Sequence, residues 1–452
     1  MTCKCAICRN DLEFDIPPQL VDDFGAGKVV VFAGAGISTE NKTVLKETFY
    51  EEIAGQLGVA EQGKPFPSLM QDYCALPDGR LKLLTEIKNR FKHIRSFPEL
   101  YRAATRFHKV IATMFPIDVI VTTNWDTYFE DECGATPFVS DEDLAFWQDD
   151  ERRVLKIHGS VNNHGSIVAT TDDYKKCQRR LHKELIGSVL KSLLATRTVV
   201  FVGYSFTDSD FLNVYEFVSA QMKGLKRAAY VISPFEEQCT KFSGRELLPI
   251  KTDATYFFVQ LKNHFVNQEL MLPDDMYEHA ATLRSIVGAE HKKFNQSVEV
   301  SKYPQAIYAA SYQDGIMHAL ERVCELRRTG ELSDECSIRR VFVTYLKLQQ
   351  TKLREGKYED VAYIEGYMNA FIFLLFLLKH DEKEDCEDPP LYYAFGVNDS
   401  SFGRNVLMSY EEFMAIIDDL PNLHKASYKH AKRLLKSLGC ADGMTFHHSP
   451  WL

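Results

Sequence analysis

The sequence has few of the features that mark membrane, secreted or nucleic-acid-binding proteins. Its longest apolar run, Ala370 to Leu378, is too short for a bilayer span of ~20 residues and is typical of a buried helix. The first ten residues, MTCKCAICRN, lack the apolar core of a secretory signal. Basic residues number 53 against 63 acidic ones, a formal charge of −10, which argues against direct nucleic-acid binding. We therefore expect a cytoplasmic protein with no membrane association.

Disulfide pairing is not indicated either, because the eleven cysteines are an odd number and suit a reducing compartment. Cys3, Cys5 and Cys8 lie together in an N-terminal tail, residues 1–26, and could form part of a zinc site. Tetrahedral zinc needs four ligands, and no further cysteine pair follows nearby. A reduced tail without metal is the favoured alternative, and we expect no metal cofactor.

Short apolar runs alternate with amphipathic stretches from about Gly27 to about Gln260. The runs predict buried strands of a parallel sheet at Val29–Ala33, Ile117–Thr123, Val154–Gly159, Thr198–Ser205, Ala228–Ser233 and Thr255–Gln260. The stretches between them predict helices, among them Val44–Leu57, Leu100–Phe115 and Phe211–Met222. This alternation predicts an α/β fold, a Rossmann-like doubly wound parallel sheet.

Strand signals fade after about residue 275, and helical periodicity takes over. The clearest helical segments are residues 312–330, 338–356 and 359–380. We predict a mainly α-helical C-terminal domain over residues 276–452, following an α/β domain over residues 27–275. Nothing in the helical half indicates a chemistry.

A glycine turn follows the first strand, where Gly34, Ala35 and Gly36 precede Ser38. Glycines at such a turn let backbone N–H groups approach a pyrophosphate, which the following helix N-terminus also favours. A tight strand–helix connection would explain the same glycines, and Ser38 could simply cap the next helix.

Three further strands end in polar or small residues. Thr123, Asn124 and Asp126 come at the end of the second strand, His158 at the end of the third, and Gly203 and Ser205 at the end of the fourth. Ligands of open α/β sheets bind outside the carboxyl ends of the strands. Helix capping alone does not account for a histidine and an asparagine at these positions. The four strand ends therefore predict one shared binding site.

The motifs GAGIS, TTNWD, KIHGS and GYSFTDSD occur in this order and together resemble the sirtuin superfamily. The resemblance covers a little over half of the chain. It implies that residues 27–275 form a sirtuin-like NAD-binding catalytic domain that consumes NAD as a substrate by cleaving its nicotinamide–ribose bond.

Two departures from the deacetylase pattern narrow this expectation. Between His158 and Gly203, where deacetylating sirtuins carry the two Cys-x-x-Cys pairs of a zinc ribbon, this sequence has only Cys177. The stretch after the glycine turn reads TENKT in place of the usual deacetylase continuation. A trimmed domain joined to a helical one resembles the bacterial anti-phage sirtuin-like NADases. That resemblance implies an NAD+ hydrolase acting as an effector of abortive infection.

By the same analogy we expect a homo-oligomer. We also expect a phage trigger or a defence partner, such as a helicase-type ATPase or a short Argonaute. The helical domain would serve regulation or oligomerisation.

Each strand-end residue has a predicted role at the site. His158, with an ordinary pKa near neutrality, is the candidate base for a ribose hydroxyl or the attacking water, and Asn124 would hold that water or the ribose. Asp126 would bind the nicotinamide amide, stabilise developing positive charge, or merely cap the following helix. The predicted NAD-binding residues are Gly34, Ala35, Gly36, Ser38, Thr123, Gly203 and Ser205. Asp208 and Asp210 are interpreted as acids that begin the next helix.

Two other functions fit the same residues. A protein deacylase or ADP-ribosyltransferase would release nicotinamide only with an acceptor present. A non-catalytic module would bind NAD or ADP-ribose as a signal without turnover.

Overall fold

The computed structural model describes residues 12–59, 63–148, 152–235, 247–379, 391–395, 406–439 and 446–449. Cys3, Cys5 and Cys8 therefore lie outside the described residues, and the expectation for them remains a prediction. The chain divides into two compact units. The first comprises residues 1–265 and 328–330, and the second comprises residues 266–327 and 331–452.

The first unit contains a seven-stranded parallel sheet in the order β3-β4-β2-β1-β5-β6-β7. Its strands are β1 Val29–Ala33, β2 Val119–Thr122, β3 Thr136–Phe138, β4 Arg153–Lys156, β5 Thr198–Val202, β6 Ala229–Ile232 and β7 Leu247–Ile250. Every residue of β1, β2 and β5 is buried, as expected for central strands covered on both faces. The predicted α/β, Rossmann-like fold is confirmed.

Helices surround this sheet. They are α1 Pro18–Gly25, α2 Phe49–Leu57, α3 Phe66–Cys74, α4 Gly79–Ser96, α5 Pro98–Ala104, α6 Arg106–Ala112, α7 Tyr128–Cys133, α8 Thr171–Lys183, α9 Leu185–Thr196, α10 Ser209–Met222 and α11 Ala254–Asn267. Phe32 of β1 packs in one core with Leu190 of α9 and Phe211 of α10, and its ring centroid lies 4.3 Å from that of Phe211.

The prediction of a strand at Thr255–Gln260 is wrong, because this segment lies within the helix α11. The Asp253 carboxylate accepts the backbone N–H groups of Thr255 and Tyr256 and so starts a helix. The helix turns Phe258 inward, where it meets Phe24 of α1 and Phe107 of α6 edge to face. The sheet contains two strands that were not predicted, β3 and β7. Both lie at its edges, and the proline of β7 at position 249 suits an edge strand.

Two predicted helices have wrong boundaries. The helix expected from Val44 begins only at Phe49, because Thr48 and Glu51 form a reciprocal capping box. The single helix expected at Leu100–Phe115 is two helices, α5 and α6, which separate at Thr105. Ser38 does not cap a helix N-terminus, since it follows a single 3-10 turn at Ala35–Ile37.

The second unit is mainly helical, as predicted. Its helices are α12 Met276–Ser297, α13 Ala306–Glu325, α14 Glu335–Arg354, α15 Tyr358–Lys379, α16 Tyr410–Ile416, α17 Leu420–Leu423 and α18 Lys425–Leu438. Two short strands, β8 Tyr392–Ala394 and β9 Val406–Met408, pair in antiparallel fashion beside them. None of the helices within the described ranges is long and apolar enough to cross a membrane.

Helices α13 and α15 form the centre of this unit and approach backbone to backbone. A Cβ at Gly315 would lie 2.0 Å from the Tyr363 carbonyl oxygen, and one at Gly366 would lie 1.9 Å from that of Tyr312. Only glycine allows this separation, so these two positions determine how closely the central helices pack.

Candidate active site

The sheet reverses its winding direction at β1, since β2 and β4 lie on one side of it and β5 and β6 on the other. Crevices at such switch points, outside the carboxyl ends of the strands, are the usual ligand sites of open α/β sheets. A cavity of about 960 Å³ lies there and is lined by residues that follow β1, β2, β4, β5 and β6. Its volume lies near the upper end of the range for ligand pockets.

The structure brings together eight of the ten predicted site residues on the wall of this cavity. They are Ala35, Gly36, Thr123, Asn124, Asp126, His158, Gly203 and Ser205. Gly34 and Ser38 lie behind the wall, and the Ser38 hydroxyl donates a hydrogen bond to Asp126 Oδ2 at 3.3 Å. The TENKT segment, from Thr39, also lines the cavity.

The glycines of the two loops have a packing role of their own. The Gly36 N–H donates to the Gly203 carbonyl oxygen at 3.0 Å, and a Cβ at Gly34 would lie 2.5 Å from that same oxygen. Gly203 also has a φ of 57°, in the left-handed region. These glycines therefore hold the β1 and β5 loops together, a role separate from any ligand contact.

Asn124 lines the cavity and has one unused acceptor. Its side chain is buried, its Nδ2 donates to the Gly34 carbonyl oxygen at 3.3 Å, and its backbone N–H donates to Thr122 Oγ1 at 3.0 Å. Among the described residues, Oδ1 has no hydrogen-bond partner, although such buried acceptors are nearly always satisfied. The indole Nε1 of Trp125, on the same wall, is likewise a buried donor with no partner in the described part of the chain. Bound ligand or water can satisfy both groups.

His158 forms a buried pair with Asp210, the second residue of α10. Its Nε2 lies 3.0 Å from Asp210 Oδ2, and both side chains are almost fully buried. Burial by itself would lower the pKa of the imidazole, but the Asp210 carboxylate outweighs burial and raises that pKa above 6.5. Burial opposes ionisation of Asp210 too, yet the imidazole keeps the pKa of this carboxyl below its usual value. With Nε2–H donating to Asp210, Nδ1 is the nitrogen that can accept a proton.

Asp126 lies beneath the β2 loop in a different environment. Burial raises the pKa of its carboxyl to about 6, although the Lys156 ammonium acts in the opposite direction. Oδ1 accepts the backbone N–H of Tyr128, the first residue of α7, at 3.1 Å, and Oδ2 accepts the Ser38 hydroxyl. The N-cap position of α7 is Thr127, so Asp126 precedes the cap. Lys156 itself donates to the Asp126 carbonyl oxygen and to Glu130.

Two residues of the site were missed from the sequence. Asp210 was interpreted only as a helix-starting acid, although its place in the same motif as Gly203 was a usable signal. Arg90 of α4 is buried, and it lies on the cavity wall. It donates to the carbonyl oxygens of Thr39 and Glu47, at 3.1 and 2.9 Å, and so fixes the segment after the glycine turn.

Arg90 also pairs with Glu40 at 3.2 Å and with Glu52 at 3.0 Å. Burial raises the pKa of Glu40 despite this pairing. The partners lie 38 to 51 residues from Arg90 along the chain, so no local pattern pointed to them.

The ligand atoms of His158, Cys177 and Asp210 lie within 4.8 Å of one another and could in principle hold a metal ion. Burial raises the pKa of the Cys177 thiol strongly, and its Sγ–H donates to the Ile157 carbonyl oxygen at 3.4 Å. The contacts present in the structure make this cluster a hydrogen-bonded support for the imidazole.

Comparison with known proteins agrees with this geometry. Residues 118–251 match the family model described as a SIR2-like domain. The chain is 25% identical over 287 residues to "NAD(+) hydrolase ThsA" of Enterococcus faecium, covering 62% of this chain and 53% of that protein. It is 29% identical over 187 residues to "NAD(+) hydrolase ThsA" of Cytobacillus dafuensis, which covers 40% of this chain and 36% of the relative.

A third relative, "Defense-associated sirtuin 2" of Bacillus subtilis, is 25% identical over 205 residues, 42% of this chain and 19% of that protein. The resemblance to the sirtuin superfamily and to defence-associated members is thus confirmed. The chain spans about half or less of the length of the curated relatives named here.

Proposed function

We propose that this chain, through its SIR2-like domain, hydrolyses NAD+ to ADP-ribose and nicotinamide. The observation that carries the proposal is Asn124, which lines the same switch-point cavity as His158 and whose buried Oδ1 has no partner among the described residues. The names of the relatives point to the same reaction.

The chemistry requires little covalent assistance. Cleavage of the bond between the ribose C1′ and the nicotinamide nitrogen releases neutral nicotinamide and leaves an oxocarbenium-like ribose. Water then forms the new C1′–O bond and loses one proton, so NAD+ and water give ADP-ribose, nicotinamide and H+. Positioning of that water is a large part of the catalysis. Asn124 Oδ1 would accept a hydrogen bond from it or from a ribose hydroxyl.

His158 would receive the proton at Nδ1. Asp210, which contacts His158 but not the substrate in this proposal, is a positioning residue that fixes the tautomer and stabilises the imidazolium once formed. Asp126 would act at the nicotinamide end of the cavity. Its raised pKa keeps a larger protonated fraction than an ordinary carboxyl, so it can donate to an amide oxygen.

NAD+ would bind across the loops after β1 and β5. The Gly36 N–H already donates to Gly203 and is therefore not available to the pyrophosphate. We propose that the glycine turn instead allows the pyrophosphate to come close to the backbone. Ala35, Thr123 and Ser205 on the wall would contact phosphate and ribose. Gly34 and Ser38 would act from behind the wall by supporting Gly203 and Asp126.

The cellular role proposed here is that of an anti-phage effector that depletes NAD in the cytoplasm. It rests on the relative named as defence-associated and on the NAD hydrolase relatives. Within this proposal the α/β domain, residues 27–275, is catalytic. The helical domain, residues 276–452, restrains activity, forms a homo-oligomer or receives the signal of a partner protein or phage.

Nicotinamide release by the purified full chain, with NAD+ as the sole substrate, tests the reaction. Asn124→Ala and His158→Ala should each lower the rate at least 100-fold, because each removes a group at the reacting centre. Asn162→Ala, an exposed asparagine of the neighbouring loop, is the matched control and should keep the rate.

A second arm adds an acylated lysine peptide. Hydrolysis predicts the same nicotinamide release with and without the peptide. Release that requires the peptide would support a deacylase instead, and NAD+ binding by calorimetry without any product would support the sensing module.

A further inference from the structure

A cluster of metal-ligand side chains lies in the helical unit and has no part in the proposed reaction. His291 and Asn295 lie one turn apart on α12, and Asp314 lies on α13. His447 belongs to the described segment 446–449 near the C-terminus. His291 and Asp314 are almost fully buried, whereas His447 is 59% exposed.

The three ligand atoms form a nearly regular triangle. His291 Nε2 lies 3.1 Å from His447 Nδ1 and 3.4 Å from Asp314 Oδ1, and His447 Nδ1 lies 3.4 Å from Asp314 Oδ1. Zinc–ligand bonds of about 2.0–2.1 Å in tetrahedral geometry separate ligand atoms by about 3.3–3.4 Å. Octahedral geometry at the same bond length would separate cis ligands by about 2.9–3.0 Å, which fits less well.

The hydrogen bonds around His291 fix its tautomer. The His291 Nδ1 lies 2.9 Å from Gln313 Oε1, an acceptor, so Nδ1 carries the proton and the neutral ring has its lone pair at Nε2. That lone pair accepts from the Asn295 amide Nδ2 at 2.9 Å and lies on the side of His447 and Asp314. A cation at the centre of the triangle would take this lone pair in place of the Asn295 amide.

The surrounding contacts orient the ligands as metal sites require. Gln313 holds the His291 tautomer and donates from Nε2 to the Leu391 carbonyl oxygen at 3.0 Å. Asp314 Oδ2 accepts the His448 backbone N–H at 2.6 Å, which leaves Oδ1 facing the two histidines.

We propose that His291, Asp314 and His447 bind one zinc ion, which ties the C-terminal segment 446–449 to α12 and α13. Water, which can reach the exposed His447, would be the fourth ligand. This site is independent of the proposed NAD+ chemistry and differs from the expectation, drawn from the sequence, that no metal is bound. No local pattern pointed to this site, because its ligands are 23 and 133 residues apart along the chain.

Zinc content of the full chain tests the proposal. The chain is purified without a metal-affinity tag, incubated with zinc, desalted and measured by mass spectrometry of the metal. We expect about one zinc per chain in the wild type and at least a tenfold loss in His291→Ala, Asp314→Asn and His447→Ala. His447→Ala is the decisive variant, because its exposed side chain can be removed without opening the core. His279→Ala, a partly exposed histidine on the same helix, is the matched control and should retain the zinc.

A second measurement distinguishes zinc at this site from zinc at the His158 cluster, and loss of zinc from loss of the fold. Chelation should lower the unfolding temperature of the wild type and of His158→Ala but leave that of His447→Ala unchanged. The proposal is overturned if zinc-incubated wild type holds less than a tenth of an equivalent, or if His447→Ala retains the wild-type content. A different metal at one equivalent, lost in the same variants, overturns the choice of zinc.

Discussion

Three buried polar side chains at strand ends differ in their hydrogen-bond partners and in the charges near them. Asn124 has an acceptor with no partner in the described residues, His158 is paired with a carboxylate, and Asp126 is buried among hydrogen-bond donors. Burial opposes the charged form of both His158 and Asp126. Only for His158 does a nearby opposite charge, that of Asp210, outweigh the effect of burial on the pKa. Asn124, His158 and Asp126 line one cavity, and these differences support the proposed roles of a water- or ribose-binding amide, a base and a partly protonated acid.

The pairing of His158 with Asp210 predicts a pH dependence of catalysis. A base must be unprotonated, so the rate should rise with pH through the His158 pKa, which the Asp210 carboxylate raises above 6.5. In Asp210→Asn only burial and weaker interactions remain, so the acidic limb of kcat/KM should move down by about one pH unit or more. The measurement is the pH–rate profile of both proteins with NAD+. An unshifted limb would mean that His158 is not the group that titrates.

The raised pKa of Asp126 predicts a pH dependence of stability. Its folded-state pKa of about 6 exceeds the ordinary value of 3.8, so its stabilising contribution is complete below pH 3.8 and is lost as the pH rises through 6. Asp126→Asn removes this loss of stability, because an amide does not ionise as the pH rises. Relative to the wild type, its free energy of unfolding should increase between pH 4.5 and 7.5 by about 2 kcal/mol.

Urea unfolding followed by the fluorescence of Trp125 and Trp147, both in the first unit, measures this difference. Asp172→Asn, at an exposed position of α8, is the control and should follow the wild type at both pH values. A difference between Asp126→Asn and the wild type that does not change with pH would contradict the assigned pKa.

The central elements were predictable, whereas the peripheral ones were not. Strands such as β1 and β5 are continuous β-branched and aromatic runs, and buried strands of that kind are readily recognised. TYFFVQ has the same composition but follows Asp253, whose side-chain hydrogen bonds start a helix instead. The residues of the candidate site were likewise predictable only in part. Residues at strand ends were found, but Arg90 contributes through tertiary contacts that no local pattern encodes. Asp210 lies in the motif of Gly203, but only the tertiary structure shows its contact with His158.

The close approach of α13 and α15 predicts that two glycine substitutions act in opposite directions. Alanine in a helix normally stabilises by about 1 kcal/mol relative to glycine. At Gly366 the new methyl group would lie 1.9 Å from the Tyr312 carbonyl oxygen, so the helices must separate and Gly366→Ala should destabilise by about 2 kcal/mol or more.

Gly288 of α12 is the matched control, since its nearest neighbour would be Met317 Sδ at 3.7 Å. Gly288→Ala should be neutral or slightly stabilising. Differential scanning calorimetry of the full chain measures both variants. Equal unfolding temperatures for Gly366→Ala and Gly288→Ala would show that the two helices do not meet as described.

The chain as a whole combines an α/β unit that carries the candidate site with a helical unit that carries the proposed zinc site. The matches to NAD+ hydrolases cover at most about half of those relatives, so the functional assignment rests chiefly on the first unit. The two proposals fail separately, because zinc content does not depend on NAD+ turnover.

A complete balance of NAD+, nicotinamide and ADP-ribose is the most direct test of the central claim. Quantitative chromatography should find one nicotinamide and one ADP-ribose for each NAD+ lost, with no acceptor added, and Asn124→Ala should abolish all three changes. The same balance is measured in phage-challenged cells that carry the wild-type chain or the variant. Unchanged NAD+ in both settings, or nicotinamide without a matching amount of ADP-ribose, would contradict hydrolysis.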